Sequence, residues 1–205
     1  MRIIGLTGGI ASGKSTVAKM LVEKGAHLLD ADLLAREAVE PEQPAWKEIV
    51  AWLGEEILLS DRNINRVKLA GLVFNDRRML DKLNKIVHPW VGRRFIELSK
   101  ELGEKEPDAV IIYDIPLLIE AGMQKMVDLV LLVYASRDVQ LSRLQQRDGL
   151  SRADAEKRLR AQKPLEEKRR YAGVIIDNSK TLAETARQVD QFWEKFMQGG
   201  YKCIQ

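Results

Sequence analysis

Short apolar runs alternate with longer segments of helical spacing along this chain. The run Ile3-Ile4-Gly5-Leu6 and the later runs at 109–114, 129–134 and 174–177 are short and mostly rich in β-branched residues. Near-continuous apolar runs of this length are typical of parallel strands that are buried on both faces. A further short strand is expected at 26–30, directly before a helix. The pattern predicts an α/β fold with a parallel sheet flanked by helices.

The segment from Pro41 to about Leu102 shows helical spacing and no convincing strand. Within it, His88-Pro89 is interpreted as a helix end, because proline displaces the preceding residue from helical geometry. We therefore expect an all-helical insertion between two strands of the sheet.

Two more helical segments follow the later strands. The first, 137–170, is dense in arginine and lysine, and Ser151 with Asp154 forms a capping-box start inside it. The second runs from Thr181 to Gln198 and begins with another capping box. Its apolar face is predicted to cover the sheet and consists of Leu182, Ala186, Val189, Trp193 and Phe196.

Composition narrows the class of protein. With 205 residues and 45% hydrophobic residues, the chain suits one α/β domain with insertions. No apolar run reaches membrane-spanning length and no secretion signal is evident, so a cytoplasmic protein without membrane association is expected. The single cysteine, Cys203, cannot form an internal disulfide or a cysteine metal cluster. A net charge of +3 suits phosphorylated small molecules and gives little support for nucleic acid as a partner.

The stretch Gly8-Gly9-Ile10-Ala11-Ser12-Gly13-Lys14-Ser15-Thr16 fits G-x-x-x-x-G-K-[ST] and lies between a predicted strand and a predicted helix. Its glycines allow backbone N–H groups to surround phosphate oxygens, and the helix directs its positive dipole end to the same place. Lys14 should reach the β- and γ-phosphates, and Ser15 should place its hydroxyl on Mg²⁺. The alternative is a glycine-rich turn that happens to precede a lysine, but the pattern strongly favours a nucleotide-binding loop.

Carboxylates follow two of the predicted strands. In Asp30-Ala31-Asp32 we expect one aspartate to cap the next helix and the other to act at the site. Arg36, four residues after Asp32, either binds an anionic group or forms an ion pair with that aspartate. Asp114 ends its strand and is a candidate for a place near Mg²⁺. It is followed by Ile115 rather than by the glutamate that activates water in ATPase motors.

In the basic helical segment, Arg143 and Arg147 are spaced i,i+4 just after a strand end. From such a position a mobile lid could lower guanidinium groups onto transferring phosphates, although most charge-rich helices are solvated surfaces.

Taken together, these motifs resemble those of the dephospho-CoA kinase family, and they span residues 3 to 178. The pieces that carry the resemblance are Leu6-Thr7-Gly8-Gly9-Ile10, Ser12-Gly13-Lys14-Ser15-Thr16, Leu29-Asp30-Ala31-Asp32, Ala35-Arg36, His88-Pro89, Asp114-Ile115-Pro116-Leu117-Leu118-Ile119-Glu120, Gln140-Leu141, Arg143, Gln146-Arg147-Asp148 and Ile176-Asp177-Asn178. Relatives often have glycine at position 11, where this chain has Ala11.

The resemblance implies a P-loop kinase of the nucleoside-monophosphate-kinase type, with ATP, dephospho-CoA and Mg²⁺ as its small-molecule partners. It implies transfer of the ATP γ-phosphoryl group to the ribose 3′-hydroxyl of dephospho-CoA, the last step of coenzyme A synthesis. The implied organisation is one kinase domain with a nucleotide core at 1–30, 103–136 and 171–205, a helical acceptor subdomain at 31–102 and a lid at 137–170.

The same resemblance implies roles for individual residues. Catalytic roles fall to Lys14, to Asp32, which accepts or orients the hydroxyl proton, and to Arg143. Nucleotide-binding residues are Gly8, Gly9, Ala11, Ser12, Gly13, Lys14, Ser15, Thr16, Arg143, Arg147 and Asn178, with adenine near Asp177-Asn178. Acceptor-binding residues are Thr7, Asp32, Arg36, His88, Pro116 and Leu117. Ser15 is the metal ligand, with Asp114 as a second candidate.

Two rival functions remain open at this point. A shikimate-kinase-like enzyme also places aspartates after its second strand, but a glycine run is expected where Pro116-Leu117-Leu118 stands. A GTP-binding switch protein is the rival from another class. The sequence contains no D-x-x-G motif, and Asn84-Lys85-Ile86-Val87 lacks the aspartate of the guanine-reading N-K-x-D.

Overall fold

The computed structural model describes residues 1–74 and 76–201. Cys203, for which the sequence excludes an internal disulfide, lies outside the described residues. The chain divides into two compact units, one formed by Met1–Leu29 with Glu106–Gln205 and the other by Asp30–Lys105.

The first unit is built on a five-stranded sheet with strand order β2-β3-β1-β4-β5. The strands are β1 (Arg2–Gly8), β2 (His27–Asp30), β3 (Val110–Asp114), β4 (Leu129–Tyr134) and β5 (Val174–Asp177). The pairings of β1 with β3, β1 with β4 and β4 with β5 are all parallel. The predicted α/β class with a parallel sheet is confirmed.

The first unit also contains helices. They are α1 (Lys14–Glu23), α6 (Arg137–Asp148), α7 (Arg152–Arg160), α8 (Leu165–Lys168) and α9 (Leu182–Met197). Helices α1 and α9 pack in one core with the strands, which includes the fully buried Ile4, Leu21 and Val189. The register pairs Leu6 of β1 with Asp114 of β3, so the carboxyl ends of these two strands lie side by side.

The predicted apolar face of α9 is confirmed at Val189, Trp193 and Phe196, which lie in or against the core, but it is wrong at Leu182. Leu182 is 61% exposed, whereas Thr185, Val189, Phe192 and Phe196 are buried. The buried stripe therefore contains a threonine, whose hydroxyl donates to Asn178 Oδ1 at 2.8 Å. The capping box predicted for this helix is confirmed, since Thr181 and Glu184 each bond the backbone of the other.

The second unit is helical. It contains α2 (Ala31–Ala38), α3 (Pro44–Leu53), α4 (Arg66–Phe74) and α5 (Arg77–Lys105) around a core that includes Trp46, Ile49 and Ile57. Pro89 lies inside α5, so the predicted helix end at His88-Pro89 is wrong. A proline inside a helix removes one backbone bond and costs about 3 kcal/mol. Burial of Val91 and Phe95 on the following turns offsets this cost.

Among the described residues, no helix combines the length and the apolar character needed to cross a membrane. Helix α5 is long enough, with 29 residues, but it is rich in charged side chains.

Candidate active site

The glycine-rich segment predicted as a phosphate-binding loop joins β1 to α1. Gly13 caps α1 with φ of 88°, in the left-handed region that favours glycine. Ser12 N donates to Gly9 O at 3.0 Å, and this bond closes the turn. Ile10 and Ala11 pack outward against the cluster of Leu141, Leu144 and Ala155. The loop thus curls over the first turn of α1 while one side of it is anchored to the helices α6 and α7.

Backbone donors gather at the amino end of α1. Within the described part of the chain, the N–H groups of Gly13, Lys14 and Ser15 donate to no acceptor, and no side chain caps the helix. Unpaired N–H groups and the positive end of the helix dipole together form a binding site for phosphate groups. The loop therefore has the geometry that nucleotide binding requires.

The outward-facing carbonyl groups of the loop are bound by side chains of the first unit. Arg143 donates to Ala11 O at 3.4 Å and to Ser12 O at 3.3 Å, and Asn178 Nδ2 donates to Ser12 O at 2.8 Å. Gln140 donates to Ile10 O at 2.6 Å. Because these carbonyl oxygens are fixed on the outside, the backbone amides of the loop are preorganised.

One amide of the loop is also bound from outside. Ile10 N donates to Gln162 Oε1 at 2.8 Å, so this N–H points away from the helix terminus. Gln140 and Gln162 thus hold Ile10 by its two backbone groups. Gln140 belongs to a motif of the family resemblance, but the sequence assigns it no role. Gln162 is not predicted as a site residue, because a glutamine in a charged helical segment is usually a surface residue.

Asn178 and Arg143 bind each other in addition to binding the loop. Arg143 Nη2 donates to Asn178 O at 2.8 Å, and Arg143 is half-buried. The Asn178 side chain is buried between Ser12 and Thr185. The side-chain amide therefore helps to hold the loop in place, and both its nitrogen and its oxygen bind protein atoms.

Lys14 forms an ion pair with Asp114 at the carboxyl end of β3. The side chains of Lys14 and Asp114 are 20% and 6% exposed. The structure thus pairs the lysine that is predicted to bind phosphate with the aspartate that is the second candidate for a metal ligand. Next to them, the buried Thr7 donates its hydroxyl to Pro116 O at 3.1 Å, while Leu117 is 45% exposed.

Arg147 lies on the exposed surface of α6. Its guanidinium binds Asp148 at 2.7 Å and 3.0 Å, and Arg158 binds the same carboxylate at 2.7 Å. The hydrogen bonds from Arg147 lower the pKa of Asp148 below its ordinary value of 3.8. Arg147 is therefore engaged within the segment predicted as a lid.

In the helical unit, the two aspartates after β2 have different partners. Asp30 is the cap of α2, and its carboxylate accepts from Asp32 N at 2.7 Å and from Leu33 N at 3.3 Å. Asp32 and Arg36 are exposed, and in the part of the chain that the structure describes they form no ion pair with each other. Of the two aspartates, Asp32 is therefore the one whose carboxylate is available to a ligand.

His88 lies in the middle of α5. Desolvation lowers the pKa of His88 below its ordinary value of 6.5. At pH 7 the imidazole is therefore mostly neutral, and it offers a hydrogen-bond donor and an acceptor rather than a positive charge.

Comparison with known proteins places this site in a family. The family model described as dephospho-CoA kinase matches residues 2–184 of the chain. The chain belongs to the dephospho-CoA kinase family. A dephospho-CoA kinase of Geobacter metallireducens is 49% identical over 195 residues, which cover 95% of this chain and 96% of that protein. One of Oceanobacillus iheyensis is 43% identical, with 95% and 97% of the two chains covered.

Solved structures agree with this assignment to the dephospho-CoA kinase family. A Thermus thermophilus protein has a TM-score of 0.77 and 38% identity, covering 95% of this chain and 97% of its own. Dephospho-CoA kinase from Campylobacter jejuni has a TM-score of 0.74 and 26% identity over 97% and 98% of the two chains. A shikimate kinase from Acinetobacter baumannii, with a TM-score of 0.53 and 19% identity, shares the fold alone. The shikimate-kinase-like alternative is therefore not favoured.

Proposed function

We propose that this chain transfers the γ-phosphoryl group of ATP to the ribose 3′-hydroxyl of dephospho-CoA, giving coenzyme A. The observation that carries the proposal is the match to the dephospho-CoA kinase family over residues 2–184, in a chain whose glycine-rich loop has phosphate-binding geometry. A cytoplasmic place of action, expected from the sequence, stays a prediction.

ATP is assigned to the loop between β1 and α1. The free amides of Gly13, Lys14 and Ser15 would bind phosphate oxygens, and the Lys14 ammonium would neutralise charge on the transferring group. Phosphoryl transfer requires positioning and charge neutralisation more than covalent chemistry by the enzyme. The side chains that hold the loop from outside support this, because they fix the amides before the nucleotide arrives.

Mg²⁺ fits the residues that are present. Among the described residues, no cluster of three or more histidine, cysteine or acidic side chains could hold a metal ion. Mg²⁺ at nucleotide sites needs no such cage, since it is bound by one or two protein oxygens together with phosphates and water. The hydroxyl of the exposed Ser15 and the carboxylate of Asp114 would supply the protein oxygens. When bound, the ion would neutralise phosphate charge.

The acceptor is assigned to the helical segment 31–102, with Asp32, Arg36 and His88 as its site residues. Asp32 would align the 3′-hydroxyl and accept its proton late, because a carboxylate is a weak base for an alcohol at neutral pH. Arg36 would bind an anionic group of dephospho-CoA, and a neutral His88 would contribute a hydrogen bond. Pro116 and the exposed Leu117 are also assigned an apolar contact with the acceptor.

The segment 137–170 is assigned the role of a lid. Arg143 would act on the nucleotide side, where its guanidinium already lies against the loop. Arg147 would bind phosphate after exchanging its contact with Asp148 for the nucleotide.

A substrate panel tests the proposal. Initial rates are measured with ATP and with GTP against dephospho-CoA, shikimate and nucleoside monophosphates. We expect the highest kcat/KM with ATP and dephospho-CoA. A preference for shikimate or for a nucleoside monophosphate would overturn the assigned acceptor, and a preference for GTP would overturn the assigned nucleotide.

A further inference from the structure

Lys168, the last residue of α8, is fully buried, with 0% of its side chain exposed. Burial of an ammonium group costs several kcal/mol unless other groups compensate for the lost water. The compensating groups are the Glu120 carboxylate at 2.8 Å and the carbonyl oxygens of Gly8 and Pro116, each at 3.4 Å. The buried Lys168 ammonium is therefore held by three specific partners within the first unit.

The three partners of Lys168 belong to two segments that flank the active site. Gly8 is the first residue of the phosphate-binding loop. Pro116 and Glu120 lie in the turn that follows β3, and that strand ends at Asp114, the partner of Lys14. The ammonium therefore joins the start of the loop to the turn after Asp114. Lys168 itself lies near the end of the segment predicted as a lid, 137–170.

Two neighbouring contacts connect the same segments. Gln162 accepts from Ile10 N at 2.8 Å, and Glu120 accepts from Lys163 N at 3.3 Å. The residues 162–168 thus contact both the phosphate-binding loop and the 116–120 turn. Among these contacts, the Lys168 side chain reaches both segments at once.

We propose that Lys168 is a positioning residue for phosphoryl transfer. Its ammonium fixes the Gly8–Gly9 peptide against the 116–120 turn, and so sets where the phosphate-binding loop stands relative to the Asp114–Lys14 pair. Lys168 is too deeply buried to touch a substrate, so it acts through Gly8 and Pro116. The inference rests on the proposed kinase function and adds a residue to it.

Kinetics and stability give different expectations for a positioning role and for a purely structural one. Removal of one partner of a buried ion pair is destabilising whatever its role, because the other charge is left unpaired, so a loss of stability alone does not reveal positioning. Misplacement of reacting groups by about 1 Å can cost ~100-fold in rate. A positioning residue should therefore change kcat in the folded enzyme.

The test compares Lys168→Met with the wild-type chain and with Lys157→Met, a control on the exposed surface of α7. Folding is checked by circular dichroism, kcat is measured with ATP and dephospho-CoA, and the Kd of ATP is measured by equilibrium binding. We expect kcat of Lys168→Met to fall by about 10- to 100-fold, with less than a threefold change in the Kd of ATP. The control should match the wild type.

A second variant keeps the inference falsifiable if Lys168→Met does not fold. Glu120→Gln leaves the side-chain volume and Lys168 in place, and it should lower kcat in the same direction. A folded Lys168→Met enzyme with wild-type kcat would overturn the positioning role, as would wild-type kcat in Glu120→Gln when Lys168→Met is unfolded. If the wild-type chain itself does not phosphorylate dephospho-CoA, the proposed function fails and the inference with it.

Discussion

The side-chain amide of Asn178 donates to the Ser12 carbonyl at 2.8 Å and occupies the space where a Cβ atom at Gly13 would lie. The residue after strand β5 can thus approach the phosphate-binding loop this closely only because position 13 is a glycine. The same glycine has φ of 88°, so two independent constraints act on one residue.

Gly13→Ala should therefore weaken ATP binding by about tenfold or more, because the loop must move away from Asn178. Equilibrium titration with ATP and Mg²⁺ measures the effect. Gly149→Ala is the matched control, since Gly149 has φ of 64° but open space around it. The control should lose about 1 kcal/mol of stability and keep its ATP affinity. Wild-type ATP affinity in Gly13→Ala would contradict the assigned constraint.

Ala11 has φ of 58°, a left-handed conformation that costs an L-residue about 1–2 kcal/mol. Ala11→Gly should raise the free energy of unfolding by about 0.5–1 kcal/mol, since the relief of strain exceeds the loss of one partly buried methyl group. Urea denaturation measures the change. Ala161→Gly, at an exposed residue with φ of −73°, should give no such gain. Equal effects of the two substitutions would show that Ala11 is not strained.

Asp32→Asn should lower kcat by roughly a hundredfold, because the amide cannot accept the acceptor's proton. Asp30→Asn is the matched control, since asparagine caps a helix as well as aspartate does. Its turnover should be close to that of the wild type. Steady-state kinetics with dephospho-CoA separate the two variants, and near-normal turnover of Asp32→Asn would remove the candidate base.

Arg143→Ala should raise the KM for ATP by about tenfold and change the KM for dephospho-CoA little. The guanidinium holds the carbonyl groups of Ala11, Ser12 and Asn178, so its loss loosens the nucleotide side of the site. Arg152→Ala, on the exposed surface of α7, serves as the control. Unchanged ATP kinetics in Arg143→Ala would leave Arg143 without a role in nucleotide binding.

The sheet could be predicted from the sequence because its strands are almost continuously apolar. The predicted strands at 129–134 and 174–177 have the bounds found in the structure. The helix end at Pro89 was predicted wrongly, since local backbone preference gave way to the packing of Val91 and Phe95. The predicted face of α9 lacks Thr185, because threonine is polar in the sequence although this one is buried in the fold.

The phosphate-binding loop was recognisable because its function constrains residue type at fixed spacing. The side chains that hold the loop from outside were harder to find. Gln162 and Lys168 come from a segment whose charge is typical of a solvated surface. Their partners are backbone groups and the Glu120 carboxylate, all distant in the sequence. Such contacts depend on the folded arrangement of three segments and leave no local pattern.

The central claim is that the loop after β1 binds ATP for transfer to dephospho-CoA. Phosphorus NMR of a reaction containing the purified chain, ATP, Mg²⁺ and dephospho-CoA tests it most directly, with Lys14→Ala measured in parallel. We predict a new phosphomonoester resonance from the 3′-phosphate in equal amount to the ADP formed, at a rate reduced about a hundredfold or more in Lys14→Ala. Absence of that resonance with the folded wild-type chain, or its formation at the same rate by Lys14→Ala, would contradict the claim.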